Sequence, residues 1–263
     1  MVIHDKPLSW YIEKIRNNEY FSQGMYGDGE WLCILGELRG RKLPIGTDCT
    51  HQLCEKLEES LTFKSDNYFF CSGSVLKNPQ WSIGEKRIDT YLNSHGLEME
   101  FYEKEVWDLA MKACELQEFW KSLKNVVFIG NKYHRGLTFL NYEHFIEIGF
   151  PNCYTDGSWE RAYEEAMAHG KPGIYLVSGG LSTALLIQRL HGKIPNSCFL
   201  DLGSIWDVFV GIGAQRGFRN YMYEDKERLR QFLTLSGVED ISDRIKLIYD
   251  NLQTLYPGKY ENY

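Results

Sequence analysis

The chain has 263 residues, 43% hydrophobic and 25% charged, with a net charge of −7. That length allows one large domain with a substantial core. The acidic balance argues against a protein that holds nucleic acid mainly by charge, and no apolar stretch is long enough to span a bilayer. The seven cysteines include no Cys-x-x-Cys pair, and the opening MVIHDKPLSW lacks a basic segment followed by an apolar run. No signal peptide is expected, and the expected compartment is the reduced cytoplasm.

Residues 7–22 read as a helix, with Leu8, Tyr11, Ile12 and Ile15 on one face. GMYGDGE interrupts it, and WLCILGEL resumes as a second helix. An amphipathic helix is expected over 50–62, where Cys49, His51 and Cys54 form a trio without a second cluster to complete four zinc ligands. NYFFCSG (67–73) reads as a strand running into a small-residue loop. Helices are expected over 84–94 and 101–122.

The second half has a clearer rhythm. NVVFIGN (125–131) is a strand, followed by a helix candidate, NYEHFIEIGF. A helix over 159–170 stops at Gly170. GIYLVSGG (173–180) is a strand, then comes a helix over 181–192. SCFLDLGS (197–204) is a further strand, and 224–256 is mostly helical. Alternating strands and helices predict one continuous α/β domain over 1–263, with a mostly parallel sheet and helices on both faces. Ligands of such sheets sit beyond the carboxyl ends of the strands, which marks the loops 71–74, 130–135, 178–183 and 201–207.

Four segments near those ends carry candidate chemistry. In LVSGGLSTALLIQRL, the glycines bring backbone amides to a helix start; Ser178, Ser182 and Thr183 add hydroxyls. The segment reads equally as a phosphate cradle or as an ordinary capped turn. GIGAQRG (211–217) is one residue off a dinucleotide fingerprint and reads as a loop, with Arg216 able to grip a diphosphate. FLDLGSIWDVFVG puts Asp201 at a strand end and Asp207 six residues on; a carboxylate there suits a sugar hydroxyl or base chemistry, or Asp201 or Ser204 caps a helix formed by IWDVFVG. VVFIGNKYHRG offers Gly130, Asn131 and His134, the last read as a surface loop residue. In GMYGDGEW, Asp28 and Glu30 fit either a cap with an acid in the first helical turn or a pair of hard oxygens for Mg²⁺ or Mn²⁺. Gly24, Gly27 and Gly29 so close together favour a bend against a ligand.

The YGDGEW run, with a helix before it and an apolar helix after it, resembles the Asp-x-Glu signature of GT-D glycosyltransferases. LVSGG-STALLIQRL and FLDLGSIWD resemble later segments of that family, in the same order, and the likeness spans roughly residues 8–217. It implies a Rossmann-like GT-D fold that transfers a sugar from a nucleotide-sugar donor, expected to be a uridine diphosphate sugar, with a divalent metal. On this reading Asp28 and Glu30 hold the metal and diphosphate. Tyr26, Gly27, Gly130, Ser178, Gly179, Gly180, Ser182 and Arg216 line the donor, Asn131 faces the nucleoside, and Asp201 or Asp207 meets the sugar or acceptor. The family often has a basic residue before the Tyr-Gly run where this chain has Met25, which points to Arg216 or Lys132 as the substitute. The loop after Asp201 also lacks a histidine that some members carry. The acceptor implied is a glycan or glycoprotein, with a modified base in DNA as a second possibility. The rival readings are a nucleotide-sugar sensor without turnover and a protein-interaction domain.

Overall fold

The computed structural model describes residues 1–43, 46–73, 84–151 and 153–260. Its centre is an eight-stranded sheet in the order β1-β6-β5-β2-β10-β9-β7-β8, in which every neighbouring pair is parallel. The strands are β1 (Val2–His4), β2 (Ser22–Met25), β5 (Tyr68–Cys71), β6 (Glu100–Tyr102), β7 (Val126–Gly130), β8 (His144–Glu147), β9 (Ile174–Ser178) and β10 (Cys198–Asp201). A two-stranded antiparallel ribbon joins β3 (Arg41–Lys42) to β4 (Asp48–Cys49). The helices are α1 (Leu8–Arg16), α2 (Asp28–Ile34), α3 (His51–Ser60), α4 (Gly84–Ser94), α5 (Glu105–Lys112), α6 (Leu116–Ser122), α7 (Ser158–His169), α8 (Thr183–Leu190), α9 (Gly217–Tyr223), α10 (Lys226–Leu235) and α11 (Ile241–Leu255).

The central strands are wholly buried, which is why YFFC, VVFIG, IYLVS and CFLD read as unbroken apolar runs. Their side chains still alternate between two cores. Phe69, Phe128, Leu176 and Leu200 pack with α1, α5, α6 and the C-terminal helices. Phe70, Val127, Tyr175 and Phe199 pack with α2, α3, α7 and α8 on the opposite face. The first half of the chain winds outward from β2, and the second returns to β10. The halves meet where Phe199 pairs with Ser22 and Leu200 with Gln23. That junction is the switch point of the sheet, and its carboxyl end is the place for a ligand.

The expected α/β class, parallel sheet and helices on both faces are present. Four expected elements differ. The helix read over 7–22 ends at Arg16, and Ser22–Met25 is the central strand β2. That strand is masked in sequence by polar side chains that find internal partners: Gln23 Nε2 donates to the Asp201 carbonyl at 2.9 Å, and Ser22 Oγ bonds His191 Nδ1 at 2.8 Å. The span 101–122 divides into β6, α5 and α6, with Cys114 at φ 61 breaking the helical path. The helix candidate over 141–150 is the edge strand β8, whose Phe145 and Ile146 enter opposite cores. IWDVFVG forms one 3₁₀ turn, Asp207–Phe209.

Helix α7 stops at Gly170 in the left-handed region, as expected. Of the 71–74 loop, residue 74 lies outside the described residues. All seven cysteines are free thiols. Among the described residues no three His, Cys, Asp or Glu side chains form a metal cluster, and no helix is long and apolar enough to cross a membrane.

Candidate functional site

The site is built from the β2–β10 junction outward. Asp201 ends β10, 3% exposed. Its Oδ2 accepts the Met25 amide and its Oδ1 the Gly203 amide, each at 2.9 Å. The carboxylate thus fixes the point at which the chain leaves β2. Burial pushes its pKa up to about 7, against the pull of the two amides, and the nearby Glu30 charge adds to the rise. With both oxygens engaged, Asp201 is a positioning residue for the Tyr26–Asp28 corner.

Tyr26 follows as a core anchor, fully buried. Its hydroxyl bonds Ser60 Oγ at 2.8 Å and accepts from Gln188 Nε2 at 3.1 Å, while its amide donates to the Cys71 carbonyl at 2.7 Å. Its side chain is therefore anchored in the core, where the sequence reading had it lining the donor. Gly27, rather than Asp28, is the cap of α2, and Glu30 Oε2 reaches back to accept the Gly27 amide at 2.8 Å. Asp28 begins the helix, exposed, and makes no hydrogen bond or ion pair among the described residues. Burial raises the Glu30 pKa, Lys104 opposes the rise, and Asp28 adds to it.

The three glycines divide by what a β-carbon would meet. At Gly24 it would lie 2.1 Å from the Tyr68 hydroxyl and 3.0 Å from the Ala184 β-carbon; at Gly29, 2.5 Å from Leu181. Both serve packing within the protein, so the expected bend against a ligand reduces to Gly27. There the β-carbon would lie 3.1 Å from both Glu30 Oε2 and Lys104 Nζ.

Lys104 was missed in the sequence because 101–122 reads as a helix, which hides the end of β6 just before it. The lysine stands two residues past a short strand, and that position is the signal that would have found it. Met25 packs toward Gly203, where a β-carbon would meet its sulfur at 3.3 Å. Arg216 is exposed; its Nη1 donates to Ser204 Oγ at 2.8 Å, and Asp28 lies within its electrostatic reach. Lys132 instead lies over the Tyr133 ring, 5.1 Å from its centroid.

The other predicted residues are held differently. Ser178 Oγ donates to the Gly203 carbonyl, and the Gly179 amide donates to Thr183 Oγ1 at 2.9 Å. Ser182 Oγ bonds Cys153 Sγ at 3.1 Å, and the same sulfur reaches the Gly179 carbonyl at 3.0 Å. Only Gly180, at φ +65 with nothing within 4 Å of a β-carbon, faces open space. The hydroxyls expected to cradle phosphate are thus spent inside the turn.

Gly130 packs too closely on Phe128 and His134 to admit a β-carbon, which accounts for that glycine without a ligand. Asn131 Oδ1 accepts the Tyr133 amide at 3.0 Å and caps a 3₁₀ turn. His134 is 1% exposed, correcting its reading as a surface residue. Its Nε2 meets Asp207 Oδ1 at 3.1 Å, while Asp207 Oδ2 accepts from Arg219 Nη1 at 2.9 Å. Burial alone would raise the Asp207 pKa, but Arg219 and His134 outweigh it and hold the carboxyl below its usual range. Both Asp207 oxygens are engaged within the protein.

Asp28 and Glu30 offer the hard oxygens that Mg²⁺ and Mn²⁺ prefer, and Asp28 is uncommitted. Two carboxylates completed by phosphate oxygens and water suit a magnesium-type site. The residues present therefore fit such an ion when a diphosphate shares it.

No protein-family model matches the chain, and no curated protein matches it significantly. Three solved structures share its fold. One is a selenomethionine-substituted domain of unknown function 1792, 16% identical with a TM-score of 0.53 over 77% of this chain and 79% of that one. Another is a glycosyltransferase with the same domain from Streptococcus sanguinis, 15% identical with a TM-score of 0.56 over 77% and 82%. The third, described as having a distinct glycosyltransferase fold, is 16% identical with a TM-score of 0.52 over 77% and 79%. The likeness establishes the fold of this chain.

Proposed function

We propose that this chain is a glycosyltransferase that moves a sugar from a nucleotide diphosphate sugar, with uridine as the nucleotide, using Mn²⁺ or Mg²⁺. The observation that carries the reading is Asp28: an exposed, uncommitted carboxylate at the switch point of a sheet whose fold is shared with glycosyltransferases. Asp28 and Glu30 would hold the ion, which would neutralise charge on the departing diphosphate. Asp201 fixes the corner that presents both acids, and Arg216 lies on the Asp28 side, where a guanidinium grips phosphate oxygens. The acceptor is a glycan or glycoprotein, in keeping with the net charge of −7.

The test begins with thermal shift against UDP-glucose and UDP-galactose, with and without Mn²⁺, followed by donor hydrolysis. A metal-dependent shift with slow hydrolysis, both lost in Asp28→Asn, supports the enzyme. A shift without hydrolysis selects the sensor reading, and hydrolysis intact in Asp28→Asn rejects the site.

A further inference from the structure

We infer that Lys104 is a diphosphate-binding residue of this site, its ammonium delivered across two strand ends to stand over Gly27 beside Glu30. The inference rests on the nucleotide-sugar reading above and adds to it a second cation, besides Arg216, to take the phosphate charge.

Lys104 leaves the end of β6, two strands from β2 in the sheet. Its side chain must cross the end of β5 to reach the switch point. Both positions along that path are glycine. A β-carbon at Gly73, just past β5, would lie 3.2 Å from Lys104 Cγ; one at Gly27, just past β2, would lie 3.1 Å from Lys104 Nζ. The stem passes over the first glycine and the ammonium ends over the second. A side chain at Gly27 would crowd the ammonium; one at Gly73 would first meet Glu103 Oε1, at 1.7 Å, and then the lysine stem.

The ammonium makes no hydrogen bond and no ion pair among the described residues. Yet it stands close enough to Glu30 and Asp201 to favour the charged forms of both. Holding a long lysine extended costs side-chain entropy, which a bonded partner normally offsets. Here Glu30, whose Oε2 also lies over Gly27, spends that oxygen on the Gly27 amide instead. The geometry leaves a compact, three-donor cation half-buried at the ligand-facing rim with its donors open. That is how lysine binds phosphate, as a point charge. Arg216 lies within electrostatic reach of Asp28. A diphosphate held at these acids by a divalent ion would thus meet two cations, Lys104 and Arg216.

Inorganic pyrophosphate with Mg²⁺ is the probe, titrated calorimetrically into wild type, Lys104→Gln and Lys104→Arg. Binding of Mn²⁺ alone is followed by electron paramagnetic resonance. Lys104→Gln should weaken pyrophosphate at least tenfold, Lys104→Arg less than threefold, and Mn²⁺ alone less than twofold in either. A lysine that only steadied Glu30 would weaken Mn²⁺ and pyrophosphate together, and that result overturns the inference. So does pyrophosphate binding in Lys104→Gln at wild-type strength, which leaves the nucleotide-sugar reading standing. Failure of wild type to bind magnesium pyrophosphate overturns both. A measurement on wild type keeps the test decisive if Lys104→Gln does not fold. Acetylation of Lys104, read by mass spectrometry, should slow at least fivefold with magnesium pyrophosphate; an unchanged rate overturns the inference.

Discussion

Two strand-to-helix corners share the rim of the sheet and look alike as sequence: GMYGDGE around the end of β2, and SGGLST after β9. Each carries closely spaced glycines and polar side chains ahead of a helix. In the second corner, Ser178, Ser182 and Thr183 all bond within the protein. In the first, Asp28 is exposed and uncommitted, and Lys104 is laid over Gly27 from another strand. Glycine density therefore does not separate a binding corner from a structural one. What separates them is charge left uncompensated at a place the backbone has been cleared to expose.

The widest gap between the corners is expected on removing charge from the first. Asp28→Asn should cut metal-dependent donor hydrolysis by about 10²-fold or more, the usual scale for losing a group that stabilises developing charge. Because Asp28 is exposed and unbonded, the Tm should stay within a degree or two. A large fall in Tm with activity preserved would make the β2 corner structural as well and erase the contrast.

Within the same corner, Gly24 should behave oppositely. A methyl there meets the buried Tyr68 hydroxyl and the Ala184 β-carbon. Gly24→Ala should destabilise by about 1–3 kcal/mol through overpacking, a fall of roughly 3–10 °C at this chain length. The Mn²⁺ affinity of the folded fraction should be unchanged. Equal stability in Gly24→Ala would show that β2 and α8 are less tightly apposed than described.

Asp201 joins the two corners, since the Gly203 amide it holds follows β10 and the Gly203 carbonyl receives Ser178. Its folded pKa of about 7 lies above the ordinary carboxylate value, so the folded state takes up a proton between roughly pH 4 and 7 that the unfolded state does not. This contribution to stability is complete below the unfolded pKa and is lost as pH rises through about 7. Asp201→Asn is weakened at every pH, because an amide can accept only one of the two backbone N–H groups. The diagnostic is therefore the difference in Tm. Wild type should gain several degrees on Asp201→Asn as pH falls from 7.5 to 5, and a constant difference would mean the carboxylate stays ionised.

The sequence disclosed the fold where burial was complete. β7, β9 and β10 are apolar runs ended by Gly, Ser or Asp, and the mostly parallel sheet follows from their rhythm, though not its eight strands. It concealed β2, whose Ser22 and Gln23 take partners from distant parts of the chain, and β8, too short to show a period. The site divides the same way. Asp28 and Glu30 were legible because they stand one residue apart in a local motif. Lys104 was not, because its place beside them depends on sheet order, with β6 two strands away. Asp207 looked available because the groups that occupy it, His134 and Arg219, stand 73 and 12 residues away.

The smallest effect belongs to the second corner. Ser182→Ala removes the hydroxyl that meets Cys153 Sγ, but the sulfur keeps the Gly179 carbonyl as a partner. The cost should be about 0.5–1 kcal/mol, the net worth of one ordinary hydrogen bond. A thiol is a weak donor and a weak acceptor, which places the value toward the lower end. Donor hydrolysis and magnesium pyrophosphate affinity should stay within about twofold, because in this geometry the hydroxyl faces the protein. If Ser182 instead turned outward to hold phosphate, the same variant would leave the Tm untouched and weaken pyrophosphate severalfold. The two measurements together decide which way the hydroxyl points when anion is present, and whether one corner or both bind it.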